Sequence, residues 1–191
     1  SLFDEGEDEA PLPFIVIIAD EIAFWRDAGP EKWFEKDTAL DDEIRRRFFP
    51  LYETAASGKL TAWEAHAEGA LALLILLDQF PRNMFRGQAR TFATDPLARA
   101  IASRAILNGF DGAYPDMRGF FYLPFEHSED PADQERSIKL YTAADDADGL
   151  KWAEIHADII RRFGRFPHRN AVLGRVSTPE EQKFLDDGGF A

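Results

Sequence analysis

The stretch GALALLILLDQF, Gly69 to Phe80, is apolar around its whole helical circumference. A helix with one apolar stripe can lie on a surface, whereas one that is apolar on every side has to be enclosed. Its most apolar run, Leu71–Leu77, is far short of the ~20 residues that cross a bilayer. Protein, and not lipid, must therefore surround it. The spacing predicts a helix over 62–80 that is central and buried, with the other elements wrapped around it.

Those other elements read as helices too. A capping residue followed by proline recurs at Asp95-Pro96, Asp130-Pro131 and Thr178-Pro179. In each, a side-chain oxygen can take a free amide, and proline at the first helical position forfeits none. Thr61-Ala-Trp-Glu64 and Thr178-Pro-Glu-Glu181 have the form of capping boxes. Asn108-Gly109, Phe163-Gly164 and Phe80-Pro81 read as stops. Apolar residues at helical spacing, such as Leu40, Ile44, Phe48, Leu51 and Ala55, fill the intervals. The expected helices lie near 14–27, 38–57 (kinked or broken at Pro50), 62–80, 96–108, 118–124, 131–145, 149–163 and 179–187. Phe14–Ile18 is β-branched enough to suit a strand by propensity alone.

A chain of 191 residues, 45% apolar with 17 phenylalanines, has material for one core, so a single helical domain over 14–191 is expected. Residues 1–13 lack a basic n-region and are expected to be an acidic, flexible lead-in. Thirty-five acids against 22 basic residues leave a net charge of -13. That field repels nucleic acid and anionic membrane, so neither is an expected partner. With no cysteine, disulfides, thiolate metal sites and cysteine nucleophiles are excluded, which suits a cytoplasmic protein.

Against that acidic background, positive charge gathers in two places. RRFGRFPHRNAVLGR, Arg161 to Arg175, has five arginines and no acid, and Gln79 to Thr94 has three and no acid. Arginine outnumbers lysine by sixteen to six, and guanidinium is the group for planar, bidentate recognition of carboxylate or phosphate. If the two Phe-Pro-containing stretches meet, Arg82, Asn83, Arg86, Arg165, His168, Arg169 and Asn170 are the candidate ligand-binding residues for a small anionic molecule. The other reading makes the arginines structural, bound to carboxylates. Asp78, at the end of the apolar helix, needs a cationic partner because desolvation and the helix C-terminus both oppose its charge. It is either half of a buried ion pair or the orienter of an arginine, with Gln79 beside it and Glu129 in the same supporting role.

His127 and His168 are the candidates for proton transfer, His127 because it sits in the polar run Pro124 to Glu129 between an aromatic stretch and a helix start. His156 lies beside the apolar stripe of its helix and reads as a satisfied core group. His66 is a lone helical histidine. The four histidines share no ligand spacing, and no zinc or phosphate-loop template is present, so no metal and no cofactor are expected.

LLLDQFPRNMFRG, Phe92-Ala-Thr-Asp95, RGFFYLPFEHSED and RFGRFPHRNAVLGRVSTPEEQKFL together resemble the bacterial family known as domain of unknown function 924, over about Ile22 to Phe190. The resemblance implies an all-α, tetratricopeptide-like antiparallel helical array. It carries no activity, so the positions named above match its motifs without assigned roles. Two functions of different class stand open: an arginine/histidine cleft for a small anion, enzymatic or not, and a helical scaffold for a peptide or protein.

Overall fold

The structure, a computed structural model, describes residues 12–190. The acidic lead-in lies outside the described residues except for Leu12 and Pro13, which open the first helix. Every regular element among the described residues is helical, and the chain is all-α. It gathers into two compact units. One runs to Arg86 and resumes from Arg90 to Phe121, and the other holds Gly87–Ala89 and the chain from Tyr122 onward.

The first unit contains α1 (Leu12–Ala28), α2 (Pro30–Trp33), α3 (Thr38–Ala56), α4 (Ala67–Leu74), α5 (Phe80–Met84) and α6 (Asp95–Leu107). Phe14–Ile18 is helical despite its β-branched residues, and α3 runs through Pro50 as one helix. The apolar stretch is enclosed as its composition requires: every residue from Ala70 to Phe80 is buried, with α1, α3 and α6 packed around it. Phe80 is the aromatic centre, with ring centroids 5.0 Å from Phe48 and 5.3 Å from Trp25.

The central helix differs from the expected 62–80 at both ends. Thr61–Ala65 is a tight 3-10 turn, and His66 is extended, so α4 begins at Ala67. Glu64 does not close the expected capping box, because its carboxylate holds Arg104 at 2.8 and 3.1 Å. The turn folds back so closely that a Cβ on Gly69 would stand 2.0 Å from the Trp63 carbonyl oxygen. Only glycine fits there.

At the other end the helix passes Pro81 instead of stopping. Ile75–Gln79 widens into a π-turn, in which the Phe80 amide donates to the Ile75 carbonyl, and α5 follows directly. In an α-helix the Leu77 carbonyl would accept the amide that Pro81 lacks. Here the Thr94 hydroxyl donates to it instead, at 2.6 Å. Thr94, and not Asp95, is therefore the residue that precedes α6, and the Asp95 carboxylate is left for another partner.

The second unit contains α7 (Leu123–Glu126), α8 (Pro131–Ala143), α9 (Ala147–Phe163) and α10 (Pro179–Asp186). Asp130 caps α8 through the Ala132 amide, Asp146 caps α9 through the Gly149 amide, and Thr178 and Glu181 form the reciprocal capping box of α10. Gly164 ends α9 at φ 72°, a left-handed cap that suits glycine. α8 and α9 pack along each other. A small core of Ile159, Ile160 and Phe166 gathers Phe163, Phe184 and Phe190 around it.

Candidate functional site

The arginines of the two stretches belong to different units: Arg82, Arg86 and Arg90 of Gln79–Thr94 to the first, and all five of Arg161–Arg175 to the second. Each unit supplies carboxylates for its own arginines. In the first, Arg82 donates to both oxygens of buried Asp95 at 2.9 and 3.0 Å and to the Asp78 carbonyl at 2.8 Å. The buried Asp78 carboxylate lies 3.6 Å from the same guanidinium. One arginine thus neutralises two carboxylates and takes a carbonyl near the π-turn. Arg86 grips Asp41 at 2.7 and 3.3 Å, and Asn83 donates to Asp41 at 3.0 Å. Gln79 donates to the Trp33 carbonyl. Asp41 comes from α3, over forty residues away in sequence, which is why spacing alone could not name it.

In the second unit, Arg165 makes a fork with Glu181, both contacts at 2.8 Å. Those bonds, joined by the Thr178 amide and Asn170, hold the buried Glu181 carboxyl down at about 2. Arg175 pairs with Glu129 at 2.8 and 3.1 Å, and the Phe166 amide donates to Glu129 at 2.6 Å. Burial pushes the Glu129 carboxyl up, but these donors outweigh it and leave it below its ordinary range. Asn170 bridges Arg175, Ser177 and Glu181. The proline-containing loop from Phe166 onward is therefore moulded by ion pairs within its own unit.

Three of the four histidines gather in this unit. The His127 and His156 ring centroids are 6.4 Å apart. His156 lies 4.4 Å from Phe190 and 5.6 Å from Phe166, while His168 stacks on Phe190 at 5.2 Å and sits 5.6 Å from Phe166. His156 is buried, with Nδ1 2.7 Å from the Trp152 carbonyl oxygen. A carbonyl only accepts, so Nδ1 carries the hydrogen, in keeping with a satisfied core histidine. Its neighbour Glu126 is buried, 3.7 Å away. His127 is half-buried and His168 exposed. Arg169 is buried, lies over the Phe166 ring at 4.8 Å and donates to the His127 carbonyl at 2.7 Å, tying the two histidine-bearing loops together.

Sequence reasoning missed Phe190 and Asp41; it read Phe166 only as part of a Phe-Pro stretch and Glu181 only as a capping residue, not as the ring beside the histidines and the partner of Arg165. Phe190 stands near the C-terminal end and belongs to no motif with a chemical role. His66 is exposed in the other unit and belongs to no such group. Among the described residues, no three His, Asp or Glu side chains are grouped as metal ligands, and no helix is long and apolar enough to cross a membrane.

Comparison with solved structures finds a protein of unknown function from Agrobacterium tumefaciens that is 50% identical in sequence, superposes with a TM-score of 0.88, and covers 91% of this chain and 99% of its own. No curated protein matches significantly. The family described as bacterial protein of unknown function (DUF924) matches residues 22–189. The chain belongs to this family.

Proposed function

We propose that the histidine-bearing loops of the second unit bind a small phosphate- or carboxylate-bearing molecule. The supporting observation is the gathering of His127, His156 and His168 with Arg169 about Phe166 and Phe190. Two rings that reach solvent offer hydrogen-bond donors, a guanidinium supplies fixed positive charge behind them, and the phenylalanines supply an apolar wall. In this reading His127 and His168 contact the ligand and are the groups able to move a proton, His156 is a positioning residue, and Arg165, Asn170 and Glu129 shape the loop. The carboxylate-bound Arg82, Arg86 and Asn83 serve the architecture of the first unit. The cysteine-free sequence agrees with a cytoplasmic setting.

Thermal shift measurements with phosphate and simple carboxylates on the parent protein, His168→Ala and His127→Ala test this. Stabilisation of the parent that is lost in both variants is expected. Equal stabilisation of all three proteins contradicts it.

A second reading, a helical scaffold for a protein partner, is favoured by the pairing of Arg82, Arg86, Arg165 and Arg175 with carboxylates, which leaves those arginines in architectural roles.

A further inference from the structure

α9 buries Ala153, His156, Ala157, Ile159 and Ile160. Its other side is uncovered: Trp152 is 53% exposed and Ile155 37%. Asp148, Lys151, Trp152, Ile155, Asp158 and Arg162 recur at three- and four-residue intervals and so share that side. A groove of about 440 Å³ beside it is lined by the apolar Ile155, Ile159, Phe184 and Phe190, by two bases, Lys151 and Arg162, and by two acids, Glu154 and Asp158. Exposed large apolar side chains beside a partly apolar groove that also carries charge have the form of a docking surface.

The charges specify the occupant. Asp148 lies seven positions before Ile155 and Arg162 seven after it, while Lys151 lies four before and Asp158 three after. A second α9 laid antiparallel, with a two-fold axis at Ile155, sets Asp148 opposite the second copy's Arg162 and brings Lys151, which faces Ile159, within one position of its Asp158. Two-fold symmetry makes each pair twice. A parallel arrangement would oppose like charges throughout. The pattern is therefore complementary to its own reverse, which is what an isologous interface demands. We propose that the protein forms a homodimer through antiparallel α9 helices, with Trp152 and Ile155 at the centre and the four cross-pairs at the rim. Because each copy carries a net charge of -13, long-range repulsion opposes assembly at low salt and is screened near physiological ionic strength.

Sedimentation equilibrium of the full chain at physiological salt tests the proposal, with far-UV circular dichroism reporting the fold of every variant. The parent is expected to be a dimer, and Trp152→Ser with Ile155→Ser is expected to raise the dimer Kd by about ten-fold or more. Asp148→Arg and Arg162→Asp should each dissociate the dimer. An equimolar mixture of the two should reassemble it, because both cross-pairs are then opposite in sign. Lys151→Glu mixed with Asp158→Lys repeats the test without Arg162, which also lies over the Phe163 and Phe184 rings. A monomeric parent, an undiminished dimer after the Trp152 and Ile155 changes, or mixtures that stay monomeric would each overturn the proposal.

Discussion

The Thr94 hydroxyl stands 2.6 Å from the Leu77 carbonyl oxygen, the acceptor whose α-helical donor would have been the missing amide of Pro81. A helix can carry proline past a π-turn when something outside the helix takes the freed carbonyl. Thr94→Val removes that donor and leaves a buried carbonyl unmet, so a loss of about 1–3 kcal/mol is expected in chemical denaturation. Pro81→Ala restores an amide to the same carbonyl. In the Pro81→Ala background the Thr94→Val cost should shrink, and an unchanged cost would show that the two residues do not share the Leu77 acceptor.

The close approach at Gly69 gives a harsher test. A Cβ 2.0 Å from the Trp63 carbonyl oxygen forces the 3-10 turn away from α4, at the start of the enclosed helix. Gly69→Ala should cost about 3 kcal/mol or more, against the usual helix preference for alanine over glycine. A variant as stable as the parent would mean that this turn does not pack as described.

These two positions also mark where the sequence stopped being legible. That a wholly apolar helix had to be central, that the fold is all-α, and where Asp130, Thr178 and Gly164 punctuate it, all follow from local chemistry. Pro81 was misread as a stop because its compensation comes from Thr94, a tertiary contact. Thr61 to Glu64 was misread as a helix start because Glu64 is drawn to Arg104. At the candidate site, His127, His168 and Arg169 were visible as polar residues in unusual company. Phe190 was not, since a ring near the chain end carries no signal of what it will stack upon.

Glu21 lies fully buried in α1, and among the described residues neither of its oxygens has a hydrogen-bond partner. Burial, and secondarily the charge of Asp20, pushes its carboxyl well above the ordinary value. The folded protein therefore holds a proton that the unfolded chain releases near pH 4.3, and the stability this group permits is complete below that pH and falls as pH rises through the folded value. Glu21→Gln should match the parent below about pH 4 and exceed its melting temperature increasingly toward neutral pH. A constant difference across that range would contradict the burial-driven shift.

Glu181 works in the opposite sense. Its carboxyl is held at about 2 chiefly by the Arg165 fork, so its contribution is present above the unfolded value of ~4.3 and is lost as pH falls toward 2. Glu181→Gln removes the fork and weakens the capping box of α10, and a loss of about 2 kcal/mol at neutral pH is expected. Denaturation curves at successively lower pH should show parent and variant converging. Curves that stay parallel down to the acid limit would count against this ion pair.

The most direct measurement is the set of histidine ring resonances followed by NMR as inorganic phosphate is added. His127 and His168 should shift and saturate together, His156 should respond less, and His66, in the other unit, should stay still. Absence of any saturable shift, or a His66 response equal to that of His168, would contradict an anion site at the Phe166 and Phe190 rings.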